Sequence, residues 1–157
     1  MTVKRNELMG RLATAIRVSQ NTSEAFDEQV AARLGINRTD LRCLDILERR
    51  GPLSAGELAE AMHLSTGAVT TLVDRVERAG YARRVRDAAD RRRVLVELAP
   101  KMRSRGEEFY APLYLGTMRL LEGRSDHEIE QMIEFLEQGT AMVEAELARL
   151  EREARAG

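Results

Sequence analysis

Residues 54–98 constrain this chain more than any other stretch. Ser54-Ala55-Gly56-Glu57 has capping-box spacing; the serine and the glutamate three residues on each satisfy a backbone donor that a helix start leaves orphaned. A helix through Leu58, Ala59 and Met62 follows, then a turn at His63-Leu64. Ser65 can cap a second helix that runs to Ala79 and closes at Gly80. Then the period changes from helical to two. Tyr81 to Arg86 roughly alternates, and Val94, Val96 and Leu98 alternate with Leu95 and Glu97, so both segments read as strands. Between them lies the mostly charged Asp87-Ala88-Ala89-Asp90-Arg91-Arg92, the tip of a β-hairpin.

Two short helices joined by a tight turn, followed directly by a basic hairpin, make a winged helix-turn-helix. The flanks are helical. Leu8, Leu12, Ala15 and Ile16 form one stripe; Asn21-Thr22-Ser23 is either a break or an exposed turn; the pattern resumes through Phe26, Val30 and Leu34 to Gly35. Asn37, with Asp40 behind it, can cap a stretch that buries Leu41, Leu44, Leu47 and Cys43 before Gly51-Pro52. Pro100 suits the first turn of another helix, with Pro112 as a kink and Gly123 as its stop. Ser125-Asp126-His127-Glu128 opens a last helix on which Ile129, Leu136, Val143 and Leu150 recur every seven residues. The expected fold is mainly α with a small β-hairpin wing. Residues 37–100 are expected to form the winged helix-turn-helix lobe, and residues 1–36 and 101–157 a helical dimerisation region. The stripes Leu8, Leu12, Ile16 and Ile129, Leu136, Val143, Leu150 hold more apolar surface than a small winged helix can cover, so a homodimer is expected.

Charge points to the partner. The 157 residues carry a net charge of −1, yet residues 75–105 hold eleven basic and four acidic residues, and residues 106–157 five basic and twelve acidic. A basic segment on a near-neutral chain suits a polyanion, whereas a plain charge run is only a solvated face. Other classes fare poorly. Two histidines and one cysteine, far apart, supply no metal set, and there is no nucleophile–base pair or phosphate loop, so neither an enzyme nor a cofactor is expected. No apolar run approaches the roughly 18 residues of a membrane span, and the first residues lack a signal-peptide core, so a cytoplasmic protein is expected.

On the second helix of the pair, Val69, Leu72, Val73 and Val76 share one face. Ser65, Thr66, Thr70, Thr71, Arg75 and Arg78 are left for DNA: small hydroxylated residues allow close approach, and arginine reaches phosphates or guanine edges. Arg91 and Arg92 on a thin hairpin suit a narrow minor groove. Asp90 would repel phosphate, so its expected task is a brace pairing with an arginine to hold the tip, while Asp87 fixes the turn through its own backbone.

The run Leu64-Ser65-Thr66-Gly67-Ala68-Val69-Thr70-Thr71-Leu72-Val73-Asp74-Arg75-Val76-Glu77-Arg78-Ala79-Gly80, with Asp87 to Leu98, resembles the multiple antibiotic resistance regulator (MarR) family of bacterial transcription factors. The likeness covers about Asn37 to Pro100. It implies a homodimer with interlocking terminal helices, one winged helix per subunit on a palindromic double-stranded operator, Arg92 in the minor groove and Asp90 as its companion. It also implies release by a small anionic or phenolic effector. Phe26, Val30, Leu41, Leu44 and Phe109 are candidate walls for that effector, and the same residues serve equally as core. Some relatives sense peroxide through a cysteine near the start of the first helix; Cys43 lies elsewhere and reads as a small hydrophobe. His63 and His127 are not placed as metal ligands. The competing reading is a winged-helix protein-interaction module without specific DNA binding, in which Arg91 and Arg92 meet an acidic partner.

Overall fold

Residues 3–156 are described by a computed structural model. In chain order the elements are α1 (Val3–Leu34), α2 (Arg38–Arg50), β1 (Leu53–Ser54), α3 (Ala55–Met62), α4 (Thr66–Arg78), β2 (Ala82–Arg86), β3 (Val94–Leu98), α5 (Pro100–Leu121) and α6 (Asp126–Ala156). None of the described helices is long and apolar enough to cross a membrane.

α1 is unbroken. The Asn21-Thr22-Ser23 cluster lies inside it, and the Thr22 hydroxyl donates to the Val18 carbonyl at 2.8 Å, a bond within the helix that leaves the ladder intact. The two ends of α1 differ: Val30, Ala31 and Leu34 are buried, whereas Leu8, Leu12 and Ile16 are exposed. α2 begins as its cap requires. The Asn37 side chain accepts from the Asp40 N–H at 2.8 Å, and the Asn37 N–H donates to Asp40 Oδ2 at 3.4 Å.

The sheet has one strand more than the hairpin. β1 pairs antiparallel with β3, giving the order β1-β3-β2 with Leu53 opposite Val96 and Ser54 opposite Leu95. Two residues after a proline carry no readable period, so β1 has no signature in the sequence. β2 and β3 pair from Ala82 opposite Leu98 to Arg86 opposite Val94, leaving residues 87–93 as the wing tip. Their alternation puts Ala82, Val96 and Leu98 in the core and sets Arg83 against Glu97 at 2.6 Å on the other face.

The chain forms two compact units, divided between Tyr110 and Ala111. The core of the first joins the end of α1 to Leu41, Cys43, Leu44, Ile46 and Leu47 of α2, Leu58 and Met62 of α3, the aliphatic face of α4, the sheet, and Met102 of α5. α5 passes through Pro112, which has no N–H to give the helix ladder, and the division between units falls beside it. The second unit ends in α6, started by its own capping box: the Ser125 N–H donates to Glu128 Oε2 at 2.9 Å, and the Glu128 N–H to Ser125 Oγ at 3.3 Å. Leu136, Val143 and Leu150 are exposed along it, 65 %, 56 % and 50 %, and Ile129 is half-buried.

Candidate nucleic-acid interface

α4 is held from behind and open in front. Ser65 caps it, its hydroxyl accepting from the Ala68 N–H at 3.3 Å, and Val69, Leu72, Val73 and Val76 are buried. Thr66, Thr70, Thr71 and Arg78 are exposed. The Thr70 hydroxyl donates to the Thr66 carbonyl at 2.9 Å and that of Thr71 to the Gly67 carbonyl at 3.2 Å. Both hydroxyl protons are therefore used within the helix, and the oxygens keep acceptor capacity. At the far end Lys101 Nζ donates to the Ala79 carbonyl at 2.8 Å and sits 4.6 Å from the centroid of the Tyr81 ring. A cation there complements the negative end of the helix. Gly80 turns the chain there with φ 76°, a left-handed conformation that a side chain would strain, although a Cβ would meet Lys101 only at an ordinary van der Waals distance of 3.6 Å.

Arg75 is not simply an exposed reader. Its Nε donates to Asp40 Oδ2 at 3.2 Å and its Nη2 to Asp40 Oδ1 at 2.6 Å, a fork-to-fork pair across 35 residues. Asp40 is only 2 % exposed and is already the capping acid of α2. One carboxylate thus starts α2 and anchors α4, and Arg75 keeps Nη1 and one Nη2 proton for any further acceptor. Helical spacing put Arg75 on the polar face but held no sign of its partner. The available signal was an acid beside Leu41 in an apolar stripe, since a buried carboxylate needs a counter-charge.

Backbone bonds shape the wing. Asp87 Oδ1 accepts from the Ala89 N–H at 2.8 Å, and Asp90 Oδ1 accepts from the Arg92 N–H at 3.0 Å. Asp87 therefore fixes the turn as expected. Asp90 reaches Arg92 through its amide, so the expected pairing with a guanidinium is replaced by an Asx-type turn. The Arg93 N–H donates to the Asp90 carbonyl at 2.9 Å and closes the tip.

The arginines fall into two groups. Arg84 binds Asp74 at 2.6 Å and also Glu77, and so ties β2 to α4. Arg93 binds Glu57 at 3.1 Å. Arg78, Arg86, Arg91 and Arg92 make no ion pair among the described residues, and all four are exposed. Internal acids absorb one set of cations and leave the other for a partner.

The candidate effector residues meet in one cluster. Val30, Leu41 and Leu44 are inside the core, and Phe26 and Phe109 lie half-buried against it. Sequence reasoning missed Tyr110, whose ring meets Phe26 edge-on at 5.5 Å and whose hydroxyl donates to Asp27 at 2.9 Å; Arg38 also binds Asp27, at 2.8 Å. Cys43 is fully buried, and burial pushes its thiol up to about 12, so it stays protonated and unreactive. No group of three or more His, Cys, Asp or Glu among the described residues is placed to hold a metal ion.

Helix pair, three-stranded sheet and charged hairpin tip define a winged helix-turn-helix protein. The MarR family model matches residues 36–94. The HTH-type transcriptional regulator YcgE of Bacillus subtilis, itself uncharacterized, is 36 % identical over 148 residues, covering 94 % of this chain and 96 % of its own. A MarR family protein of Bacillus stearothermophilus has a TM-score of 0.66 at 27 % identity, over 90 % of this chain and 99 % of that one. A MepR mutant of S. aureus bound to an oligodeoxyribonucleotide has a TM-score of 0.56 at 22 % identity, over 84 % of this chain and 97 % of that one. The chain belongs to the MarR family, whose members are DNA-binding transcriptional regulators and not enzymes.

Proposed function

We propose that this chain is a homodimeric repressor that binds a palindromic operator and is released by a small anionic or phenolic effector. One observation carries the DNA reading: the hydroxylated front of α4 and the unpaired Arg78, Arg91 and Arg92 belong to one compact unit, in which the neighbouring Arg75, Arg83, Arg84 and Arg93 are each paired with an internal acid. Ser65, Thr66, Thr70 and Thr71 approach the major groove, Arg75 and Arg78 reach phosphates or a guanine edge, and Arg91 and Arg92 follow the minor groove. A neighbour of the same fold, the MepR mutant, is bound to an oligodeoxyribonucleotide, which supports DNA as the partner. The deciding experiment is sequencing the genomic fragments that the purified protein retains at physiological salt. A shared inverted repeat with half-site centres about 10 base pairs apart is expected. Equal retention of any duplex and of heparin would favour the protein-interaction module.

The dimer reading rests on Leu8, Leu12, Ile16, Leu136, Val143 and Leu150, apolar side chains exposed in the single chain. Residues 1–36 and 101–157 supply the dimerisation region and residues 37–100 the DNA-binding lobe. Sedimentation showing a stable folded monomer at micromolar concentration would remove it. The effector reading rests on the family and on the aromatic side chains Phe26 and Phe109, each half-buried against the core. Salicylate is the first probe: it should weaken operator binding, and indifference to salicylate and other aromatic acids would leave a regulator without a ligand.

A further inference from the structure

Arg91-Arg92-Arg93 is one run of like charge, and the structure divides it. Arg91 and Arg92 are unpaired, whereas Arg93 Nη2 donates to Glu57 Oε1 at 3.1 Å and to Oε2 at 3.2 Å, and its Nη1 lies 3.9 Å from Asp87. Glu57 is already engaged. Its Oε2 accepts from the Ser54 N–H at 2.7 Å and from the Ser54 hydroxyl at 2.6 Å, closing the capping box of α3. These Ser54 bonds first, and Arg93 after them, hold the Glu57 carboxyl below the usual carboxylate range. Ser54 is in turn the β1 residue opposite Leu95 of β3. One carboxylate therefore joins the first helix of the helix-turn-helix, the β1–β3 ladder and the root of the wing. The Arg93 backbone carries the rest of the link: its N–H donates to Asp90 and its carbonyl accepts from the Asp87 N–H at 3.1 Å. A bare carboxylate beside a DNA-binding hairpin repels a polyanion, so a favourable role for Glu57 has to be mechanical.

We propose that Glu57 is a positioning residue for the wing. Through Arg93 it holds the tip that carries Arg91 and Arg92 in a fixed relation to α3. The proposal rests on the DNA reading above. Glu57→Gln separates the strut from the cap, because glutamine also serves at this position of a capping box while losing the charge that holds Arg93. Operator affinity should fall roughly two- to fivefold, the range an exposed ion pair commands, with the melting temperature unchanged. In an Arg92→Ala background the same substitution should change affinity little, because the tip it positions no longer grips. Without DNA, exchange of the Asp87 and Arg93 amide protons should quicken in Glu57→Gln. Equal or tighter operator binding, an equal loss in the Arg92→Ala background, or unaltered exchange would each overturn the strut. If the wild-type protein retained no preferred duplex, the DNA reading would fall, and the exchange measurement would still decide whether Glu57 restrains the wing.

Discussion

The recognition helix and the wing use the same side chain, arginine, and support it in opposite ways. α4 is backed by four buried aliphatic residues, and Arg75 is clamped by a carboxylate that is itself inside the core. The wing has no core of its own. Two aspartates turn its backbone, Arg93 ties its root to an exposed glutamate, and Arg91 and Arg92 stand free. Burial makes the first arrangement costly to disturb, since a charge stranded away from water loses its solvation. The second depends on exposed contacts that individually stabilise little. An element that reads bases has to arrive in one orientation, while one that reaches for a groove needs only a held shape and a net charge.

Asp40→Ala tests that contrast most severely. It removes the α2 cap acid and the partner of Arg75, and should destabilise the fold by roughly 2–4 kcal/mol in urea denaturation, the lost cap adding to a buried-pair cost that is reduced because Arg75, 39 % exposed, keeps access to water. An unchanged midpoint would erase the difference between the two elements. Arg75→Ala should cost a similar amount, roughly 2–4 kcal/mol, because it leaves the Asp40 carboxylate buried without its counter-charge, while the Asn37 N–H and water entering the partly exposed vacated site offset part of the loss. It should also relax preference at one base pair per half-site. Arg75→Lys should not restore the fold, since an ammonium cannot make the paired bonds. Loss of preference with full stability would make Arg75 a free reader instead.

Wing substitutions should leave stability within about 0.5 kcal/mol, as for surface changes generally. Arg92→Ala should weaken operator and non-operator DNA alike and lower the salt slope by about one. Identical salt titrations for wild type and variant would take the wing out of the DNA site. Asp90→Ala should have the smallest effect, on the order of 1 kcal/mol of binding, through loss of the turn that presents Arg92. Its sign is the informative part: electrostatics alone predicts tighter binding once the acid is removed, so a gain in affinity would show that the turn is dispensable.

Much of this was readable beforehand. Asn37, Ser54, Ser65 and Ser125 cap the helices they were expected to start, and Gly35 and Gly80 lie at positive φ where helices end. The face Val69, Leu72, Val73, Val76 is buried as its spacing required. What failed to show were β1, too short to have a period, the unbroken course of α1 through Asn21-Thr22-Ser23, and the amide as the partner of Asp90. Val94 belongs to an alternating strand yet is exposed, because it stands beyond the core at the root of the wing.

By itself, then, the sequence determined where α2 to α6 begin, which face α2 and α4 bury, that a hairpin follows the helix pair, and that this segment is basic. Those properties depend on residues within about a turn or a strand of one another, so spacing encodes them. Which arginines are free was decided only by tertiary structure. Asp40 meets Arg75 across 35 residues and Glu57 meets Arg93 across 36. At those separations the packing of α2 on α4 and of β1 on β3 chooses the partner, and the same residue type becomes a clamp, a strut or an unpaired cation according to the acid the fold brings to it.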